Sequence, residues 1–222
     1  MGMDFETKDC TSVTDAELEE MADLCAEGEN PFSIGLLSKQ TEEWVLVTTG
    51  RENGRLKGYA FSTLERIGGT PAVLIGLGSV VRNSKRDTVL RGLMTELSRK
   101  ALMAFPDEDV LFGAQFNDAS GFEAFKSLQD IVPRPEHRAN GEERAWGRRL
   151  AKRFSIPATR YDDRSFTVNG DGAQACVLDH VSQKPEKIDG QVAGYFEEID
   201  LTKGDALIVC GWAEADQLIK LG

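Results

Sequence analysis

The chain has 222 residues, 41% of them hydrophobic and 28% charged, which suits one large domain or a core with an extension. Its net charge of −11 argues against a general nucleic-acid binder, and no apolar run approaches the roughly 20 residues that span a bilayer. The acidic N-terminal sequence lacks the regions of a signal peptide, so we expect a cytoplasmic protein that makes no membrane contact.

The first part of the chain predicts a helix followed by a hairpin. Residues 14–27 are amphipathic and begin with a Thr-x-x-Glu capping box, which marks the start of a helix. Strand-like runs follow at 44–49 and 56–66. The Asn53-Gly54 pair between them is typical of a tight hairpin turn.

Residues 72–105 carry the most informative pattern in the chain. An apolar strand-like run at 72–81 leads through a basic loop, 82–86, into a predicted helix at 87–105. The helix has apolar residues at the spacing of one buried stripe, which includes Leu90, Leu93, Met94 and Leu97. A strand that feeds a helix through a basic loop directs backbone N–H groups to one point, which favours phosphate binding.

A further strand is predicted at 109–116, and Asn117 opens the loop that leads into a short helix. The order helix, hairpin, strand, loop, helix, strand, helix over residues 10–132 resembles the GCN5-related N-acetyltransferases (GNAT). The segment from Val81 through Arg86 to Arg91 stands where that family has its coenzyme signature. The resemblance implies an α/β (α+β) fold, with a mixed, twisted sheet flanked by helices.

The resemblance also implies a site for acetyl-CoA or another acyl-CoA. The family pairs the end of its fourth strand with the pantetheine arm and holds the pyrophosphate at the following helix. The corresponding positions are Ser79, Val80, Val81, Arg86, Asp87, Thr88, Val89, Leu90, Arg91 and Asn117. Two features oppose this site: Asp87 would repel a pyrophosphate, and Ser84 with Asp87 forms a capping-box pattern that would satisfy the helix internally.

Two carboxylates are candidates for the base that deprotonates an attacking amine. Glu65 lies on the strand before the coenzyme strand, and Asp118 precedes the short helix. Each has an ordinary alternative, an exposed strand carboxylate for Glu65 and a helix cap for Asp118. The short helix offers Phe122 and Phe125 where the family often has a Tyr that protonates the leaving thiolate.

Residues 131–164 are basic inside an acidic chain, with nine basic and five acidic residues and hence a net charge of +4. Residues 142–154 predict a helix with Trp146, Leu150 and Phe154 on one face. The segment is either a solvated basic face or an anion site. An anion site would take the coenzyme's adenosine phosphate, an acidic partner such as an acyl-carrier protein, or RNA.

The remainder of the chain predicts short strands at 165–168, 175–178, 192–196 and 206–210, and a terminal helix at 214–221. We therefore divide the chain into a core, 1–154, and a small, mostly β extension, 155–222. The extension either enlarges the sheet or forms its own subdomain. Four cysteines and two histidines show no metal-ligand spacing, so we expect no metal site.

These observations leave two classes of function open. The first is an acyl-CoA-dependent N-acyltransferase that acts on a small-molecule or protein amine. The second is a non-catalytic GNAT-like module that senses a ligand or binds a partner through 131–164.

Overall fold

The computed structural model describes residues 2–221, in which ten strands form one mixed sheet. The strands are β1 (Met3–Asp9), β2 (Leu46–Glu52), β3 (Arg55–Ile67), β4 (Thr70–Val80), β5 (Val110–Phe116), β6 (Gln129–Val132), β7 (Tyr161–Asp162), β8 (Thr167–Val168), β9 (Leu178–Asp179) and β10 (Ala206–Ala213). Their main order is β1-β2-β3-β4-β5-β10-β8-β7, while β6 also pairs with β10 and β9 with β4.

Six α-helices flank the sheet: α1 (Asp15–Cys25), α2 (Ile34–Glu43), α3 (Arg86–Ala104), α4 (Gly141–Arg153), α5 (Gly190–Gly194) and α6 (Ala215–Leu221). Strands β1 to β4 are antiparallel, and β4 and β5 are parallel. The parallel pair follows from the sequence order, because α3 carries the chain back across the sheet between these two strands. The predicted mixed sheet flanked by helices is confirmed.

Helix α3 packs on the sheet through the apolar stripe that its sequence predicts. Leu90, Leu93, Met94 and Leu97 are all buried. Gly92 lies so close to the ring of Phe5 on β1 that a Cβ at this position would clash with it. The helix is therefore seated directly against the first strands, with its N-terminus at the end of β4.

Two predicted local signals are present. The side chain of Thr14 accepts from the backbone N–H of Glu17 while Glu17 caps the Thr14 N–H, which completes the capping box of α1. Asn53 and Gly54 have φ angles of 52° and 77°. Positive φ at both central residues is the requirement of a type I′ hairpin turn, so this pair joins β2 to β3.

Two other local predictions are wrong. The capping box at Ser84 does not form, because α3 has Lys85 at its N-cap and the Asn83 Oδ1 atom accepts the Lys85 N–H at 2.8 Å. The predicted strand at 192–196 is instead the end of helix α5 and a following turn. The Asp189 side chain caps this helix, and that local hydrogen bond outweighs the strand propensity of the Val and aromatic residues.

The C-terminal part of the chain enlarges the sheet, which was one of the two alternatives for it. Strand β10 pairs with β5 along the whole length of β5 and also pairs with β6. Residues 133–205 join β6 to β10 and contribute α4 and the short strands β7, β8 and β9. The division of the chain at residue 154 stays a prediction.

No helix within residues 2–221 is long and apolar enough to cross a membrane. In the same part of the chain, no three His, Cys, Asp or Glu side chains are grouped so that they could hold a metal ion.

Candidate functional site

The parallel pair β4–β5 separates half-way along β4. The two strands are paired from Ala72 to Ile75, and beyond this point β4 pairs with β9 instead. The Gly78 N–H donates to the carbonyl of Val177 at 3.1 Å. The edge of β4 that was predicted to bind a pantetheine arm is thus occupied by the chain itself, in a segment that we call the strap (residues 176–184).

The strap is held by the basic loop that precedes α3. The Arg82 Nη2 atom donates to both carboxylate oxygens of Asp179, at 2.9 and 3.0 Å, and the Ser79 hydroxyl donates to the same carboxylate at 3.1 Å. The Arg86 Nη1 atom donates to the carbonyl of Val181 at 3.2 Å. The two arginines that were expected to attract a phosphate therefore bind a carboxylate and a carbonyl of the same chain.

His180 lies at the N-terminus of α3 and is fully buried. Its Nε2 atom is 3.3 Å from the Asp87 Oδ1 atom, yet neither ring nitrogen has a hydrogen-bond partner of good geometry among residues 2–221. Burial lowers the pKa of His180 below its usual value of 6.5, against the opposing effect of Asp87. The ring is therefore neutral at pH 7 where it contacts the helix end.

A large cleft lies beside this end of α3, and we call it the basic cleft. It has a volume of about 610 Å³. Its cationic lining residues are Arg91, Lys126, Lys184, Lys187 and Lys220, and its acidic ones are Asp87 and Glu123. The excess of cations beside a helix N-terminus favours a phosphorylated ligand.

The structure brings together only part of the predicted coenzyme-binding set. Asp87, Leu90 and Arg91 line the basic cleft. Ser79, Val80 and Val89 are buried in the core, at 0%, 2% and 0% exposure. The helix turns the Val89 side chain toward β3, where it lies against Gly58, so at this position only the backbone could contribute to a coenzyme site.

Of the remaining four predicted positions, Arg86 and Asn117 lie beside the strap. Val81 is half-buried and donates its N–H to the Lys57 carbonyl, which fixes the end of β4 to β3. Thr88 is exposed on α3, and Arg86 is half-buried. Asn117 lines a small cavity together with Val177 and Asp179 of the strap.

A second cleft opens at the other end of the strap, and we call it the aromatic cleft. It has a volume of about 450 Å³ and is lined by Gln40, Glu43, Trp44, Thr63, Glu65, Leu74, Gln115, Arg153, Phe154, Ser155 and Cys176. The rings of Trp44 and Phe154 lie 6.1 Å apart. Burial and the nearby Glu43 carboxylate raise the pKa of Cys176 to about 11, so its thiol is protonated at neutral pH.

The two base candidates are in different surroundings. Glu65 faces the aromatic cleft and forms an ion pair with Arg153 of α4. Asp118 accepts the Ser120 N–H at 2.8 Å and caps the short 3₁₀ helix Ala119–Phe125. It does not line either cleft. Of the two, only Glu65 is placed beside space that a substrate could occupy.

The strap connects the two clefts. Cys176 lines the aromatic cleft, Leu178–Asp179 pairs with β4, and Ser182 and Lys184 line the basic cleft. This arrangement was not predicted, because the sequence of residues 175–178 resembles an ordinary strand of the extension. Parallel pairing with β4 involves residues 100 positions apart, as in Ser79 and Asp179, and no local pattern encodes it.

The order and direction of the strands around the site identify the type of fold. Strands β1 to β4 are antiparallel, β4 and β5 form a parallel pair that separates, and α3 connects the two, which agrees with the mixed sheet flanked by helices that the resemblance implied. The chain has a GNAT-type fold. In this GNAT-type sheet, β9 pairs with β4 at the point where β5 separates from it.

Several solved structures are similar to this chain, at low sequence identity. The NatC complex bound to Gag peptide and CoA has 12% identity, covering 63% of this chain and 87% of that chain, with a TM-score of 0.43. Escherichia coli ElaA has 17% identity, covering 63% and 95%, with a TM-score of 0.38. An acyl-CoA N-acyltransferase from Pseudomonas aeruginosa has 20% identity, covering 51% and 78%, with a TM-score of 0.38.

No protein-family model and no curated protein matches the chain. Similarities at these identities and TM-scores assign no substrate or activity to the GNAT-type chain.

Proposed function

We propose that the chain is an acyl-CoA-dependent N-acyltransferase that transfers an acyl group to an amine. The observation that carries this proposal is that the strap, which lies beside β4 where β5 separates from it, has the aromatic cleft at one end and the basic cleft at the other. A ligand with a phosphorylated end and a reactive thioester end, joined by a narrow arm, would lie in the basic cleft, along β4 and in the aromatic cleft, in that order.

The basic cleft supports the coenzyme half of this proposal. Arg91 projects from the first turns of α3, whose N-terminal N–H groups lack intrahelical acceptors. Arg91 is exposed and lies away from the strap's hydrogen bonds, whereas Arg86 also holds Val181. Arg91 is therefore the better residue with which to test phosphate binding.

The aromatic cleft supports the acceptor half. Glu43 and Glu65 supply negative charge, and Trp44 and Phe154 supply aromatic surface, a combination that suits a cationic amine. In this proposal Glu65 takes a proton from the attacking amine after its pairing with Arg153 is broken by the substrate. The amine then attacks the thioester carbonyl, and the thiolate leaves with a proton from solvent.

The test is coenzyme binding followed by acyl transfer. Binding of CoA is measured by titration calorimetry for the wild type, Arg91→Gln and Arg55→Gln. Arg55 is an exposed arginine beside the β2–β3 turn and serves as the matched control. We expect Arg91→Gln to weaken binding roughly tenfold or more, since a charge-assisted hydrogen bond contributes about 1.5–3 kcal/mol, and Arg55→Gln to have no effect. Equal affinities in all three proteins would remove the basic cleft from the proposal.

A second candidate function is favoured by the strap. Because β4 already has a partner at Gly78 and Ser79, the same fold could serve as a non-catalytic module that binds a nucleotide-like ligand in the basic cleft only. Acyl-transfer assays with acetyl-CoA, longer acyl-CoAs and a panel of amines distinguish the two. Tight CoA binding without transfer to any amine would favour the module.

A further inference from the structure

We propose that the strap is a built-in competitor of the coenzyme, which closes the slot along β4 and must leave it before an acyl-CoA can bind. This inference rests on the proposed function. It adds that the chain alternates between a closed form, in which Leu178–Asp179 pairs with β4, and an open form, in which the same edge is available.

The first argument is that the strap and a pantetheine arm would need the same groups. The Gly78 N–H, on the edge of β4 just before the predicted positions 79–81, donates to the Val177 carbonyl at 3.1 Å. Gly78 and Ser79 are paired with Leu178 and Asp179 as neighbouring strands of the sheet, so no further chain fits between β4 and the strap. Simultaneous occupancy by the strap and by a ligand is thus excluded on steric grounds.

The second argument is that, in the described part of the chain, several buried polar atoms between the strap and the start of α3 have no hydrogen-bond partner. Both ring nitrogens of His180, the Oδ1 atom of Asp87 and the Nε atom of Arg82 are buried without a hydrogen-bond partner among residues 2–221. Leaving buried polar atoms unpaired is unfavourable. Opening the strap would expose these atoms to water, so the closed form lacks the hydrogen bonding typical of a permanent core.

The third argument is that the strap is short and continues into an exposed segment. Its regular pairing with β4 covers only Leu178–Asp179. Residues 183–187 are all exposed and include a single turn of 3₁₀ helix, Pro185–Lys187. Upstream, the Gln174 side chain donates to the Asn30 carbonyl at 2.8 Å, and downstream the Gln183 side chain donates to the Ser84 carbonyl. Opening of the strap would therefore break the exposed Gln183 contact together with the two-residue pairing to β4.

The Asp179 carboxylate is the group to change, because it receives two hydrogen bonds from Arg82 and one from Ser79. Asp179→Asn keeps the size of the side chain and removes its charge. The matched control is Asp171→Asn, which removes an exposed carboxylate that pairs with Arg160 outside the strap. Apparent affinity scales with the fraction of molecules in the binding-competent form, so weakening the closed form raises it.

The experiment combines CoA titration with amide hydrogen exchange of the full chain. We expect Asp179→Asn to bind CoA about tenfold more tightly than the wild type and Asp171→Asn. In the absence of CoA, the amides of 177–181 and of Gly78 should exchange faster in Asp179→Asn. In the wild type, saturating CoA should accelerate exchange in 178–184.

Three outcomes would overturn the inference. If all three proteins bind CoA equally tightly, the strap does not compete, and the proposed function stands without it. If CoA binds the wild type while exchange in 178–184 is unchanged or slower, the strap stays in place, a result that needs no variant to fold. If Asp179→Asn exchanges rapidly at Gly78 and still binds no CoA, the coenzyme proposal itself fails, and the competitor role fails with it.

Discussion

At the scale of single residues, His180 makes the contact between the strap and α3 sensitive to pH. Its pKa is lowered by burial, while Asp87, Asp179 and Glu123 favour the protonated ring and Arg86 opposes it. The ring is neutral in the closed form, and exposure would return its pKa toward 6.5. The stability of the closed form is therefore fully present above pH 6.5 and is lost as the pH falls, because only the exposed ring binds the proton.

We predict that opening of the strap increases by up to about tenfold between pH 7.5 and pH 5.5, which is one unit below the usual histidine pKa. The measurement is amide exchange in 177–181, corrected for intrinsic rates and compared with β10. His180→Gln should abolish this pH dependence. His137→Gln should preserve it, since His137 pairs with Glu143 away from the strap. A pH dependence that survives in His180→Gln would contradict the assignment.

Glu65 is the residue on which catalysis is proposed to depend. We predict that Glu65→Gln lowers turnover by about 100- to 10,000-fold at neutral pH and leaves the CoA dissociation constant nearly unchanged. The deficit should shrink as the pH rises, because the amine then loses its proton without a base. Glu108→Gln is the matched control, because Glu108 also forms an exposed ion pair with an arginine, Arg66. Equal activity of the two variants would remove Glu65 as the base.

At the scale of elements, the packing of α3 against β1 depends on the close approach of Gly92 to the Phe5 ring. We predict that Gly92→Ala destabilises the fold by about 1–3 kcal/mol, because the new Cβ would overlap the Phe5 ring in a packed layer. Gly35→Ala in α2 is the matched control, since no atom lies within 4 Å of a Cβ there. It should be neutral or stabilising by up to about 1 kcal/mol. Urea unfolding of both variants measures the difference, and equal stabilities would contradict this packing.

The sequence predicts best those elements whose pattern lies within a short stretch of neighbouring residues. The apolar stripe of α3, the Asn53-Gly54 turn and the Thr14 capping box each need only a few neighbouring positions. Strand β9 has no such signal. Its two residues form a strand only because β4 and β5 separate beside them, and that separation depends on the whole sheet. The acyl-CoA site stays a prediction, and the pairing of β9 with β4 was missed because it depends on residues far apart in the chain.

At the scale of the whole molecule, the sheet is continuous across the predicted boundary at residue 154. Every residue of β5 is buried, and β10 covers its outer edge from Phe116 to Val110. We predict that a fragment of residues 1–154 shows no cooperative thermal transition and aggregates, because it would expose a long apolar strand edge. Calorimetry of this fragment beside the full chain is the measurement. A cooperative transition in the fragment would support the division at 154.

The strap belongs to the segment of residues 133–205, which joins the paired strands β6 and β10. Both ends of the strap are covalently joined to the rest of the chain, so it meets β4 as an intramolecular ligand whose effective concentration is set by the connecting segments. Dilution of the protein leaves that concentration unchanged. A free coenzyme therefore competes with a constant local concentration of strap, and occupancy of the slot would follow the cellular level of acyl-CoA and not the amount of the protein.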